Sequence, residues 1–466
     1  MSSQALTSVE EYDWPMFVGL RPFEHQKVTT NFLLANKRAY VLNEMGTGKT
    51  LSVLWAVDIL LRAGRVRRVL VVCPLSTMRA VWMKEVQRNV PHLKLAVAHG
   101  TAQERVEVWR SSAQIVVINH DGIKVIEDEI ASRPPDILVI DELTAFKSHD
   151  AQRSKCMNRI ASHCRAVWGM TGEMTPNSPL EAFYQCKIVN PDNKWLPRYF
   201  GQFRDACMTQ INEYLWLPKP VAPQIVATVA QPSIRFTRDQ CLDLPDTSYH
   251  VLNVPLSKDQ QAHYEAMRKQ MYIECESGNI SASNAAVKLN KLLQISAGAV
   301  KNDGGDVVSI GAPDRVATLV DLFEQTPNHK LVVPAVFRAT IAMLEVELTK
   351  RSIKVASIHG DVPQQVRADL IERFQSGDLQ VLILQPQSSA HGITLTAAST
   401  IVWFSMMPSN ELYQQTNARI IRAGQTRKTQ IVHLISTAAD EHIYNILQRK
   451  GDVSKETMQL LTSKMI

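Results

Sequence analysis

The sequence predicts an α/β protein of two tandem halves, each a parallel sheet flanked by helices, with helical insertions between them. Three observations predict it. Short apolar runs rich in Val and Ile alternate with amphipathic segments along most of the chain, the alternation restarts near residue 314, and the stretch between has a different texture. Continuous apolar runs of this length suit strands buried on both faces, as in parallel sheets covered by helices. With 466 residues, 45% of them hydrophobic, the chain is too long for one ordinary core and can bury two.

In order, "RAYVLN" reads as a strand leading into the helix pattern "KTLSVLWAVDILLRAG", stopped by Gly64. "RVLVVCP" leads into "STMRAVWMKEVQRNV", and "LKLAVAH" into "TAQERVEVWRS"; "AQIVVINHDG" and "DILVIDE" follow. The second run comprises "DRVATLVDLFEQ", "KLVVPAVF", "RATIAMLEVELTKR", "KVASIHG", "PQQVRADLIERFQSG", "LQVLILQP", "STIVWFS", "ELYQQTNARIIRAGQ" and "IVHLIS". We assign residues 1–240 to the first half, with a helical or Pro-broken insertion at about 190–225, and 241–466 to the second, with an insertion at about 256–300.

A net charge of +6 is compatible with a polyanionic partner without demanding one. Seven cysteines at scattered spacings, with no C-x-x-C pair, suit buried thiols in a reducing compartment. His120, His163, His359 and His391 form no ligand spacing, so no structural zinc is expected. The start "MSSQALTSVEEYDWPMFVG" has neither the basic beginning nor the apolar run of a signal peptide, and the longest apolar segments are far short of a membrane span. The expectation is a soluble, cytoplasmic protein.

"NEMGTGKT" (43–50) stands after one strand and opens one helix, the context of a phosphate loop. Gly46 and Gly48 let the backbone wrap around phosphates, whose charge the successive N–H groups and the helix N-terminus receive. Lys49 would reach the β- and γ-phosphates, and the Thr50 hydroxyl would hold Mg2+. The competing reading is a glycine turn that only caps a helix. "ILVIDELTAFKS" supplies the acidic element at a strand's carboxyl end: Asp141 for the metal and Glu142 to orient the attacking water. "ELYQQTNARIIRAGQ" reads as a helix opening after Ser409-Asn410 and ending at Gly424, with Arg419 and Arg422 on one face. Two arginines in the second half suit a γ-phosphate: Arg422 as the finger, Arg419 as its companion.

With these pieces in order, the chain resembles the Swi/Snf-like branch of helicase superfamily two, most of all the compact phage-encoded type. "LRPFEHQ" is similar to the family's N-terminal glutamine motif and "NEMGTGKT" to its D-E-M-G-x-G-K-T. "VVCPLSTMRAVWMKE" is similar to the backbone-contact motif and "DELTAFKS" to D-E-x-x-x-x-K-N/S. "QPQSSAHGITLTAASTIVWFS" and "ELYQQTNARIIRAGQ" are similar to the fifth and sixth motifs, and "LDLPDTSYHVLNVPLSKDQQAHYEAM" to the segment that joins the lobes. The resemblance implies two RecA-like lobes and ATP-driven translocation along double-stranded DNA, with strand separation optional. It implies that Gln26 reads the adenine edge, and that Met45, Thr47, Gly392 and Gln425 join the loop residues in binding ATP. For a phage-encoded member it also implies the bacterial host's cytoplasm as the location.

Four positions depart from the family pattern: "TGEMTPN" carries Glu173 and Met174 for Thr and Pro in the third motif, which couples hydrolysis to DNA, "GITL" carries Thr394 for Asn, and Thr144 replaces the histidine of D-E-A-H. For DNA, Ser76, Thr77, His359 and Ser388 are candidate phosphate contacts on loops after strands, and binding should be sequence-independent and salt-sensitive. A protein partner for targeting fits the sparse equipment outside the motor. Two other readings stay open: an ATP-dependent RNA helicase, and a nucleic-acid clamp with a weakened motor, which Glu173 and Thr394 would favour.

Overall fold

In the computed structural model, which describes residues 12–17, 21–212, 215–241, 245–276, 282–301, 307–389, 393–422 and 424–463, the apolar runs become strands. The first half contains β1 (Arg38–Val41), β2 (Val69–Cys73), β3 (Leu95–Ala98), β4 (Ile115–Asn119), β5 (Ile137–Asp141), β6 (Ala166–Met170), β7 (Met208–Gln210), β8 (Trp216–Pro218) and β9 (Ser233–Ile234). The second contains β10 (Thr247–Asn253), β11 (Ala299–Lys301), β12 (Val307–Ser309), β13 (Leu331–Pro334), β14 (Val355–Ile358), β15 (Val381–Leu384), β16 (Thr400–Trp403) and β17 (Thr429–Ile435). The chain divides into two compact units, Met1–Asp243 with Gly451–Ile466, and Leu244–Lys450.

In the first unit seven strands pair in the order β3-β4-β2-β5-β6-β1-β9, every pairing parallel. β2 is buried at all five positions because it lies inside the sheet with helices on both faces. The helix Lys49–Arg62 is buried without a break from Leu51 to Ile59, so it is a core helix rather than a surface one. In the second unit the order is β10-β17-β16-β13-β15-β14, again parallel throughout. Two parallel sheets flanked by helices are the predicted fold class. Among the described residues no helix is long and apolar enough to cross a membrane.

A parallel sheet collects the loops that follow its strands at one edge, where open α/β sheets bind ligands. In the first unit that edge holds Asn43–Gly48 after β1, Ser76-Thr77 after β2, His120 after β4, Glu142 after β5, the third motif after β6 and Arg235 after β9. The element order alone therefore gathers the predicted motifs.

One expectation is corrected. The helix that begins at Asn410 ends at Asn417, not at Gly424. Beyond it the N–H groups of Arg419 and Ile420 bond back to Thr416 and Asn417, a tightening into turns, so the two arginines do not share a helix face. The insertion at about 190–225 holds the helices Phe200–Cys207 and Ala222–Val229 with a short antiparallel pair, β7 and β8, between them. The sequence reading also passed over β6, which is buried at all five positions between β5 and β1. Its Trp-Gly centre breaks the Val/Ile texture that marks the other strands.

Candidate functional site

The loop after β1 has its two glycines in left-handed backbone, Gly46 at φ 86° and Gly48 at φ 77°. That conformation is costly for any residue with a Cβ. A Cβ on Gly48 would also stand 2.1 Å from the Gln26 Nε2 atom, so the predicted adenine-reading glutamine lies directly against the loop. Its Oε1 accepts from the Phe23 N–H at 3.1 Å, which caps its own helix and orients the amide. Met45 lies against the third motif, where a Cβ on Gly172 would meet its Cγ at 3.2 Å. Thr47 is buried and donates its hydroxyl to the Glu44 carbonyl at 2.8 Å.

Lys49 donates to the carbonyls of Asn43 at 2.7 Å and Glu44 at 3.1 Å, bridging the mouth of the loop. Burial lowers its pKa below the usual lysine value, against an opposing pull from Glu142, Asp141 and Glu44. The charges of the acidic motif thus bear on the ammonium. Thr50 follows in the first turn of the helix.

Asp141 ends β5 and accepts the indole N–H of Trp82 on its Oδ2 at 2.9 Å, while its carbonyl lies 2.8 Å from Nε2 of His120. Glu142 sits at φ 56° and ψ 61°, left-handed backbone that is uncommon for a residue with a side chain. Such strain persists where the surroundings over-determine it, as they do at functional sites. Thr144 donates its hydroxyl to the Glu142 Oε1 at 3.3 Å.

No cluster of three or more His, Cys, Asp or Glu able to hold a metal occurs among the described residues. An all-protein metal cage is thus not built there. A hard cation that takes one or two carboxylates, a hydroxyl and phosphate oxygens fits the donors present, Asp141 and Thr50.

Sequence reading missed the residues that brace this site. Arg235, nearly buried, donates to the Leu42 carbonyl at 2.9 Å, the Gly172 carbonyl at 3.2 Å and the Glu44 carboxylate at 3.0 Å. Arg238 joins it on the other oxygen of Glu44 at 3.1 Å. These arginines outweigh burial and hold the Glu44 carboxyl below the usual range. His25 Nε2 lies 2.8 Å from the Thr47 carbonyl, and Asn43 donates to Thr29 Oγ1 and accepts from the Phe236 N–H. Only the pattern "RFTR" ahead of the joining segment could have signalled the two arginines.

In the third motif the Thr171 hydroxyl donates to the Glu173 carbonyl, and the charge of Glu173 bears on Arg235. Met174 is fully buried, with its carbonyl accepting from Gln185. An apolar side chain in place of the usual proline is therefore absorbed by the core.

In the second unit Arg419 and Arg422 converge on a single acceptor. Both donate to the Ile393 carbonyl, at 3.3 and 2.9 Å. Arg419 is buried, and burial lowers the pKa of Arg422. The Gln425 amide points inward, to the Ala398 carbonyl at 2.8 Å. Gly392 lies outside the described residues; Thr394, two positions on, is half-buried.

Of the candidate DNA contacts, Ser76 is half-buried, and Thr77 is buried with its hydroxyl donating to the Pro74 carbonyl. His359 and Ser388 are brought together by Arg367, whose guanidinium donates to the His359 carbonyl at 2.9 Å and the Ser388 carbonyl at 3.0 Å. Arg367 is another residue that sequence reading missed, hidden inside an ordinary helix pattern.

Compared with protein families, the chain matches the SNF2-related domain over residues 25–299 and the helicase conserved C-terminal domain over 314–424. It is 25% identical to putative protein p41 of Acyrthosiphon pisum secondary endosymbiont phage 1, over 94% of this chain and 96% of that one. It is 25% identical to the uncharacterized ATP-dependent helicase MG018 of Mycoplasma genitalium, over 89% of this chain and 40% of that one. It is 24% identical to the DNA annealing helicase and endonuclease ZRANB3 of Homo sapiens, over 91% of this chain and 39% of that one. The chain thus spans nearly all of the phage protein and about two fifths of the other two. Among solved structures, the Sulfolobus solfataricus SWI2/SNF2 ATPase core in complex with dsDNA aligns with 95% of this chain and 94% of that one, at a TM-score of 0.46 and 21% identity.

Proposed function

From the premise that the chain belongs to the SNF2-related family of helicase-type ATPases, we propose that it hydrolyses ATP to drive movement along duplex DNA, without sequence preference and with strand separation as an optional outcome. The observation that carries the reading is that Gly46, Gly48 and Lys49 after β1 and Asp141-Glu142 after β5 stand on the same carboxyl edge of one parallel sheet, Lys49 bridging the loop mouth through the Asn43 and Glu44 carbonyls.

Loop N–H groups from Gly46 to Thr50 and the Lys49 ammonium bind the phosphates, Lys49 exchanging its carbonyl partners for phosphate oxygens. Gln26, held against Gly48 by its capping bond, reads the adenine edge, and Met45 and Thr47 shape the loop. Glu142 orients the attacking water through an oxygen fixed by Thr144. Asp141 and Thr50 hold Mg2+, which when bound neutralises charge on the phosphate oxygens. Arg422 acts as the finger on the γ-phosphate and Arg419 as its companion, while Gln425 and Gly392 complete the second lobe's share. Ser76, Thr77, His359 and Ser388 contact the DNA backbone. The helicase names of MG018 and ZRANB3 support a nucleic-acid track, and the second name supports DNA. Similarity to a phage protein supports action in a bacterial host's cytoplasm, where a partner directs it to its sites.

The test is ATP turnover with no nucleic acid, single-stranded DNA, duplex DNA and duplex RNA, with Lys49→Ala as the blank. Stimulation by duplex DNA is the expected result. Stimulation by duplex RNA alone would make the protein an RNA helicase, and turnover equal to the blank on every nucleic acid would make it a clamp.

A further inference from the structure

Ahead of β7, the insertion at about 190–225 carries the sequence "KWLPRY", in which a cation is followed by an aromatic residue twice at a four-residue interval. Lys194 stands 5.1 Å from the centre of the Trp195 ring, and Arg198 stands 5.4 Å from that of Tyr199. Both contacts fall within six residues of the chain. Both rings are open to solvent, at 61% and 59% exposure. Among the described residues neither cation has a carboxylate partner.

The neighbours in the same step behave differently. Leu196 and Phe200 pack against the core of the first unit, and Phe200 stacks on His149 at 4.3 Å. A third contact, Arg204 over Trp216 at 4.4 Å, joins an arginine paired with Asp205 to a ring packed on the core. That pair is spent on structure. The outward side of "KWLPRY" presents rings and unpaired charges, while its aliphatic groups turn inward.

We propose that Lys194, Trp195, Arg198 and Tyr199 form a binding site for an unpaired nucleic-acid strand, separate from the motor's phosphate and duplex contacts. Each cation–ring pair offers what one nucleotide offers in complement, a positive charge for the phosphate and a flat face for the base. Four residues span at most about 14 Å, a distance that a strand of a few nucleotides covers. The proposal rests on the nucleic-acid reading above and adds to it a place to hold one strand.

The test is fluorescence anisotropy of the full chain with labelled dT20 and with an otherwise identical abasic oligonucleotide, beside duplex-stimulated ATP turnover. The wild type should bind dT20 more tightly than the abasic strand. Trp195→Ala and Tyr199→Ala should each weaken dT20 binding by about 5- to 150-fold, the worth of one stacked base, while Tyr199→Phe restores it. Duplex-stimulated turnover should stay at the wild-type level in all three variants. Equal binding of dT20 and the abasic strand, or unchanged dT20 affinity in both alanine variants, would overturn the site and leave the surface to a protein partner. Loss of duplex stimulation in the wild type itself, with dT20 binding as expected, would instead overturn the translocase reading.

Discussion

The indole N–H of Trp82 donates to the carboxylate of Asp141 across 2.9 Å, tying the backbone-contact motif to the acidic motif inside one lobe. Trp82 is fully buried, so its ring is held in place and its N–H fixes how the half-buried carboxylate faces the site. Trp82→Phe removes the donor and keeps most of the ring. The expected outcome is a rise of about 10-fold or more in the Mg2+ concentration needed for half-maximal ATP turnover, the usual effect of losing a group that orients a metal ligand. A Mg2+ titration that coincides with the wild type would show that Asp141 needs no such help.

Lys49 and Arg422 should fail in different ways. Lys49→Ala removes the charge that bridges the loop mouth and should abolish both ATP binding and turnover. Arg422→Ala should leave ATP affinity within a few fold and lower kcat by about 10³-fold or more, as for an arginine that acts on the transition state. Nucleotide binding measured by fluorescence beside steady-state turnover separates the two. An Arg422 variant that loses affinity and keeps kcat would refute the finger assignment.

Arg315 and Asp440 form an ion pair at 2.6 Å with both side chains buried. The same carboxylate oxygen accepts from Ser296, Ser436 and Thr437, so removing it strands several donors. Asp440→Ala should destabilise the second unit by about 3–5 kcal/mol, whereas replacing both partners with apolar residues of similar volume should cost far less. Denaturant unfolding of the single and double variants tests this. Equal losses in both would mean that the pair itself supplies the stability.

His433 is buried, with Nδ1 3.1 Å from the His250 carbonyl and Nε2 3.0 Å from the Tyr413 hydroxyl. The ring therefore donates at Nδ1 and accepts at Nε2, the neutral form, and burial pushes its pKa down to about 4. A histidine depressed on folding binds its proton more readily in the unfolded chain, so its contribution is intact above about pH 6.5 and is lost as pH falls toward 4. The loss should approach about 3 kcal/mol, and His433→Gln should flatten the pH dependence over that window. Unfolding midpoints between pH 7 and 4.5 would show it; identical slopes in the two proteins would exclude His433 as the source.

Legibility in the sequence followed the range of the interaction. Strands such as "VLVVC" and "ILVID" were readable because burial on both faces writes itself as a local run. The glycine turn after β1 was readable because Gly46 and Gly48, both in left-handed backbone, are neighbours in the chain. Arg235 was not, because its partners Leu42, Glu44 and Gly172 lie 63 to 193 residues away and no local pattern encodes them. β6 escaped because it carries a Trp-Gly pair, where neighbours across the sheet decide what fits.

By itself the sequence determined the two α/β halves and the order of the motifs, since these depend on hydrophobic period and contiguous residue types. Only the tertiary structure decided that the arginine helix stops at Asn417, leaving Arg419 and Arg422 to meet on the Ile393 carbonyl, and that Trp82 reaches Asp141. It also decided that Arg235 braces the loop. Those choices rest on packing between segments distant in the chain, where a buried donor must find an acceptor and local propensity has no vote.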